Sequence, residues 1–245
     1  MNETINLIHK HRSIRKYQNK PIEEDKFKAI IEAGQMSPSS SFIQGYTIIR
    51  VKDKDNRIKI AKLGGDQPYI EQAPEFLVFC GDINRLSLAC DMNGVDMKEG
   101  YTEGLLLATV DTAIMAQNIM IAAESLGIGG VYIGGIRNNP KEISKILELP
   151  KNVYPIFGIC LGYPAQDPIL RPRLPYEVIL KEDRYNIEGD KEKLKEYDEV
   201  MKEYYIERTK GKIKNGWTDQ ISKKMGNELR PHMKEFLKEQ GFDMK

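Results

Sequence analysis

The chain has 245 residues, 40% hydrophobic and 30% charged, with a net charge of +1. That is the make-up of a soluble globular protein of one large domain or two small ones, and so small a net charge gives no global field to draw nucleic acid or a membrane surface. The three cysteines, Cys80, Cys90 and Cys160, are odd in number and lack CxxC spacing, which argues against a disulfide framework or zinc site and for a reducing, cytoplasmic setting.

Thr4 to Lys10 is a short helix candidate that runs into the polar cluster His11-Arg12-Ser13-Ile14-Arg15, with no apolar run of a signal peptide behind it. Pro21 precedes a second helix, Glu23 to Met36, with Phe27, Ile30, Ile31 and Gly34 at helical spacing. Ser37 to Ser41 is a loop by composition. A strand is expected over Tyr46–Lys52, a helix over Asp53–Leu63 and a nearly all-apolar strand over Phe76–Gly81. Asp82 to Gly100 lacks a strong period and reads as an exposed segment with a turn at Asn93-Gly94.

A long helix from Thr102, stopped near Gly127, is apolar round most of its circumference. Asp111, Gln117, Asn118, Glu124 and Ser125 form one narrow polar seam on it. They interrupt the run too often for a membrane span, which needs roughly 20 apolar residues. A buried core helix, at a subunit interface, fits better. Gly129 to Gly135 then places strand formers between two glycine pairs, which suits either two tight turns or the close approach of a planar ligand. Asn139 reads as a helix cap with Pro140 at the first helical position, and the helix runs to about Leu149. Tyr154 to Gly162 is another apolar strand, and Leu170 to Pro175 holds Arg171 and Arg173 on a proline-stiffened loop. From Asn186 onward Lys and Glu dominate, with Tyr197, Met201, Tyr204 and Tyr205 at helical spacing. So little apolar surface implies a tail that lies on the main domain or on a partner. Strands and helices without strict alternation indicate an α+β fold.

The chemistry-bearing residues are cationic. His11, Arg12, Ser13 and Arg15, with Arg171 and Arg173, are either one anion site built from two segments or two separate basic patches. Ser39 to Ser41 is either a hydroxyl-bearing loop that reads a polar heterocycle edge or a plain linker. No G-x-S-x-G elbow, G-x-G-x-x-G fingerprint or HExxH metal motif occurs.

His11-Arg12-Ser13-Ile14-Arg15, Ser39-Ser40-Ser41-Phe42, Gln67, Val110-Asp111-Thr112-Ala113, Gly129 to Gly135 and Arg171-Pro172-Arg173 occur in that order. In this the chain resembles the flavin-dependent nitroreductase family, and within it the NADPH-using oxygen-insensitive nitroreductase and flavin reductase branch. The resemblance implies an FMN-binding homodimer with a central mixed sheet wrapped by helices and the long helix at the dimer interface. Residues 1–185 would be the FMN-binding core and 186–245 a helical extension packing on the core and on the partner. It implies that His11, Arg12, Ser13, Arg171 and Arg173 hold the phosphate and ribityl end and that Arg15 sits near the pyrimidine edge. Ser39 and Ser41 would meet the ring's polar edge, Gln67 would reach the partner subunit's flavin, and Tyr132, Ile133, Gly134 and Gly135 would lie along the ring. The implied activity is two-electron, ping-pong reduction of nitroaromatics, quinones or related small aromatic acceptors by NADPH or NADH. The alternatives are a dedicated NADPH-dependent FMN reductase and a non-catalytic flavin-binding protein. Arg208, Lys212 and Lys214, ahead of Trp217, stand where the branch grips the extra phosphate of NADPH; lysine neutralises phosphate without an arginine's fork.

Overall fold

A four-stranded sheet with helices on both faces organises most of the chain. The computed structural model describes residues 2–245. In chain order the elements are α1 (Glu3–His9), α2 (Glu24–Gln35), β1 (Tyr46–Arg50), α3 (Lys54–Leu63), α4 (Tyr69–Gln72), β2 (Glu75–Asp82), α5 (Asn84–Asp91), α6 (Thr102–Ser125), β3 (Gly129–Ile133), α7 (Pro140–Ile146), β4 (Val153–Gly162), α8 (Tyr176–Ile179), α9 (Asp190–Thr209), α10 (Trp217–Met225) and α11 (Met233–Glu239). Short 3-10 turns lie at Ser40–Phe42 and Gly134–Asn138.

The strand order is β1-β2-β4-β3. All three pairings are antiparallel, where the resemblance implies a mixed sheet. Alternation assigns the two faces. Leu77, Phe79, Ile159 and Leu161 pack with α2 and α6, while Phe76, Val78, Cys80, Cys160, Val131 and Ile133 pack with α3, α4 and α7. Burial on both faces is why every residue of β2 is buried and why its interior, Phe76–Gly81, is continuously apolar rather than alternating. The thiols of Cys80 and Cys160 are free and buried, and burial raises both well above the usual range, as for inert core cysteines. A bulge between Phe79 and Cys80 faces Phe157 and Pro155 on β4, a place where proline's missing N–H costs no ladder bond.

Two local expectations are corrected. Asp82 to Gly100 contains α5: the Asp82 carboxylate accepts the amides of Asn84 (2.9 Å) and Arg85 (3.3 Å) and so starts a helix that periodicity does not announce. Asn139 does not cap α7; its amide donates to the Leu63 carbonyl at 2.8 Å and ties α7 to the end of α3.

Contacts divide the chain into two compact units, Met1–Pro168 with Arg230–Lys245, and Ile169–Leu229. In the first, the chain's last stretch returns to the sheet. The Asn152 amide donates to the Gln240 carbonyl at 2.6 Å, and Phe242 packs edge-on against Tyr154 at 4.9 Å. The second unit has a small core of its own. Tyr197, Met201, Tyr204 and Tyr205 of α9 are buried against Ile169, Leu174 and Trp217, so the tail is not devoid of core as its composition suggests. The position expected for a boundary, 185/186, falls inside this unit.

α6 is long and apolar enough to cross a membrane by composition, yet it packs on α2 and on β1, β2 and β3. Asp111 is buried on it, and its two carboxylate oxygens accept the amides of Ser40 (3.0 Å) and Gly45 (3.2 Å). The loop so held carries three non-glycine residues in left-handed backbone, Ser41 (φ 48°), Phe42 (φ 60°) and Gln44 (φ 56°). Such strain persists only when neighbours over-determine it. Asp111→Ala removes both acceptors and leaves the buried Gly45 amide unpaired, so a loss of about 2–4 kcal/mol is expected in urea unfolding. A variant within experimental error of the parent would refute that role.

Candidate functional site

The segment His11–Arg15 is fixed to the sheet through Ile14. Its amide donates to the Gly130 carbonyl at 2.9 Å. Its side chain fills the space next to Gly129, where an added Cβ would lie 2.5 Å from Ile14 Cγ1. Past it, Tyr17 donates to the Ile14 carbonyl at 2.6 Å and bridges to Pro164. The residues around Ile14 are thereby held at the edge of β3. Among the described residues Arg12 meets only the exposed Asp167, at 3.5 Å, and its buried Nε has no partner. His11 Nδ1 lies 2.6 Å from Glu124 Oε1. Ser13 is half-buried, and Arg15 is exposed, with no hydrogen-bond partner among the described residues. A cleft of about 220 Å³ opens beside Arg12, Ile14, Glu124, Gly129, Pro164 and Asp167. Its lining balances Lys10 and Arg12 against Glu124 and Asp167, and the buried Arg12 Nε, without a partner among the described residues, is a donor of the kind a phosphate takes.

Tyr132 lies between the buried Val131 and Ile133, and alternation turns it to the α6 face. Its ring stands edge-on to Phe157 at 5.2 Å and its hydroxyl donates to Gln117 at 3.3 Å. Burial, with the negative Glu124 nearby, pushes its phenol up to about 12, so it stays neutral at physiological pH. Gly134 and Gly135 open a 3-10 turn, whose first amides have no partner inside the turn. The two glycines differ. A Cβ on Gly134 would come no nearer than 3.6 Å to Arg137 Nη2, leaving its surroundings open to a planar group. A Cβ on Gly135 would sit 2.1 Å from the Gly64 carbonyl oxygen and 2.4 Å from Gln67 Nε2. Gly135 is therefore required by the chain's own packing, not by clearance for a ligand.

Gln67 joins that loop of its own chain. Its Nε2 donates to the Gly64 carbonyl and its Oε1 accepts from Tyr69, both at 2.6 Å. This places it against Gly135, whereas the resemblance assigns it to the partner subunit's flavin. Ser39 and Ser41 sit on the strained loop, and Ser39 Oγ accepts the Gln44 amide at 3.3 Å. No hydrogen bond links either serine to the other candidates among the described residues.

The remaining candidates belong to the second unit. Arg171 donates to the Tyr205 hydroxyl and stacks over that ring at 5.6 Å, while Arg173 donates to the Arg171 carbonyl at 2.7 Å. Arg208 donates to the Tyr204 hydroxyl at 3.3 Å. Lys212 and Lys214 are exposed. The tyrosine ladder that the spacing reveals thus also orients the arginines.

Three further residues shape the site. Asp111 and Glu124 stand out in the sequence only as carboxylates in an otherwise apolar helix, and that oddity is the usable signal. Arg230 has none: it reaches back to the glycine turn, donating to the Gly134 carbonyl at 3.2 Å and to Asn138 Oδ1 at 3.0 Å. The glycine pair gives a direct test. Gly135→Ala forces two loops apart and is expected to cost about 1–3 kcal/mol, whereas Gly134→Ala should stay within about 0.5 kcal/mol of the parent. Equal effects in urea denaturation would refute the distinction.

Known proteins share this sequence pattern and this fold. The model of the nitroreductase family matches residues 8–163, and that of the nitroreductase family C-terminal domain matches 171–245. The chain is 45% identical over 242 residues to an oxygen-insensitive NADPH nitroreductase of Salmonella typhimurium, covering 99% of each chain. It is 42% identical over 247 residues to an FMN reductase [NAD(P)H] of Bacillus subtilis, covering 99% of this chain and 98% of that one. A solved NADPH:FMN oxidoreductase from Vibrio harveyi, complexed with NAD+, superposes with a TM-score of 0.92 at 40% identity over the whole of both chains. Two family models that between them span most of the sequence, and relatives of this identity along their full length, show that the chain belongs to the nitroreductase family.

Proposed function

We propose that the chain is an FMN-dependent oxidoreductase that draws electrons from NADPH or NADH and delivers them to nitroaromatics, quinones or related acceptors. The observation that carries this is the cationic segment His11–Arg15, pinned to β3 by the Ile14–Gly130 bond beside the open surroundings of Gly134. The chemistry that FMN supplies when bound is two-electron hydride transfer, from the nicotinamide in one half-reaction and to the acceptor in the other. The protein supplies position and charge. Arg12, with its unpartnered buried Nε, and His11 would take the phosphate. Arg15, exposed and unpaired among the described residues, would stabilise negative charge gathering at the ring's polar edge. Ser13, Ser39, Ser41, Gln67 and Tyr132 to Gly135 would complete the contacts. On sequence grounds the assignment extends to Arg171 and Arg173 for the phosphate, and to Arg208, Lys212 and Lys214 for the extra phosphate of NADPH.

Reduction of free flavin is the second reading, favoured by the relative named an FMN reductase. Anaerobic absorbance spectroscopy tests both. The flavin spectrum of the purified protein should bleach promptly on adding NADPH, and comparison with NADH gives the nicotinamide preference. Turnover with free FMN far above that with a nitrobenzene or a quinone would favour the second reading. A flavin that neither nicotinamide bleaches would overturn the oxidoreductase assignment.

A homodimer in the cytoplasm is the setting proposed for this activity. Its support is a stripe on α6, Leu106 (52% exposed), Val110 (52%) and Ile114 (37%), on a helix whose other side, with Ala108, Met115, Ala116, Ile119 and Met120, is buried in its own unit. Residues at this spacing share one helix face. An apolar face of that kind is the expected sign of a partner. Val110→Glu should convert the dimer to monomer in analytical ultracentrifugation, and an unaffected dimer would place the interface elsewhere.

A further inference from the structure

We propose that Glu124 is a positioning residue for phosphate recognition. Its carboxylate holds the His11 imidazole by Nδ1 and presents Nε2 to the phosphate of the bound flavin, a role that rests on FMN being the ligand of this site. Three observations make Glu124 unusual. It lies in the last turn of α6, where the unpaired carbonyls of a helix end disfavour a negative charge. Its side chain is only 12% exposed, and a carboxylate that is largely removed from water is retained only when paired. Its partner among the described residues is His11 Nδ1, at 2.6 Å and 113 positions away in sequence. Lys10 and Arg12 line the same cleft without pairing with it, Asp167 turns to Arg12, and Tyr132 donates to Gln117. A carboxylate placed against two unfavourable terms and spent on one imidazole has the arrangement of a group that orients another.

Imidazole has two distinct nitrogens, and a carboxylate on one decides what the other offers. With Nδ1–H directed to Glu124, a second proton on Nε2 gives the phosphate a donor, in the loop where Arg12 Nε also lacks an acceptor among the described residues. A phosphate there completes a carboxylate–imidazole–phosphate line. Glu124 and Arg12 thus approach the same anion from opposite chemical sides, one by orienting a donor and the other by being one.

The test uses flavin-stripped protein titrated with FMN and with riboflavin, which lacks the phosphate, followed by flavin fluorescence. Glu124→Ala should weaken FMN about tenfold and leave riboflavin unchanged. Glu124→Gln keeps an oxygen acceptor and should recover part of the loss. Combined with His11→Ala, Glu124→Ala should add little, since the two act through one contact. Imidazole nitrogen NMR should show Nδ1 of His11 protonated in the parent, with Nε2 protonated as well once FMN is bound, and a mixture of Nδ1–H and Nε2–H forms in Glu124→Ala. Equal losses for FMN and riboflavin, or an unchanged FMN affinity, would overturn the proposal. If the parent itself bound neither flavin, the FMN assignment would fail, and the phosphate role with it, while the NMR signature would still report the Glu124–His11 contact.

Discussion

Gly129 has no side chain, and Ile14 occupies the space one would take. This close approach, with the Ile14 amide bonded to the Gly130 carbonyl, fixes a basic N-terminal segment at the edge of β3, where the flavin site is proposed. Without it, His11, Arg12, Ser13 and Arg15 would be solvated charges on a loop after α1, each free to swing. With it, an apolar anchor in the middle of the segment fixes the polar residues on both sides of it. The anchor in turn needs β3 to be a true strand, which needs β4 beside it and α6 behind it.

α6 supports the site at two places along its length. Near its middle Asp111 holds the strained Ser40–Gly45 loop, and in its last turn Glu124 meets His11. Both carboxylates are largely removed from water, and each is stable there because it accepts from specific donors. Between them the apolar residues pack on the sheet, while Leu106, Val110 and Ile114 remain uncovered in the single chain. One helix therefore carries core, loop anchor, histidine partner and an apolar outer stripe. That combination explains a sequence that is apolar on most sides yet broken by isolated charges.

The proposed site works by position and charge. Its donors are incompletely satisfied among the described residues: Arg12 has an unpartnered Nε, Arg15 is exposed, and His11 has one nitrogen engaged. Unspent donors of this kind suit an anionic cofactor that brings its own reactivity. They also explain how relatives with this fold carry the names of both nitroreductases and flavin reductases. A scaffold that holds a flavin by its phosphate end constrains the electron acceptor weakly.

The sequence by itself determined the elements whose residues answer to local rules. Helix period located α2, α3, α6 and α9; continuous apolar runs located β2 and β4; and the ordered motifs identified the family and most candidate site residues. What it left open depended on partners distant in the chain. The hold of Asp82 on the first amides of α5, the diversion of Asn139 to Leu63 and the small core of the second unit follow from which groups meet in space. So does the reason for Gly135, which a glycine-rich stretch cannot disclose: only the packing shows that Gly64 and Gln67 occupy the place of its missing side chain. Glu124 and Asp111 are the clearest case. Sequence marks them as polar residues in an apolar helix, and the tertiary structure alone supplies the donors that make burying them favourable, because a buried charge is defined by its partners rather than by its neighbours in the chain.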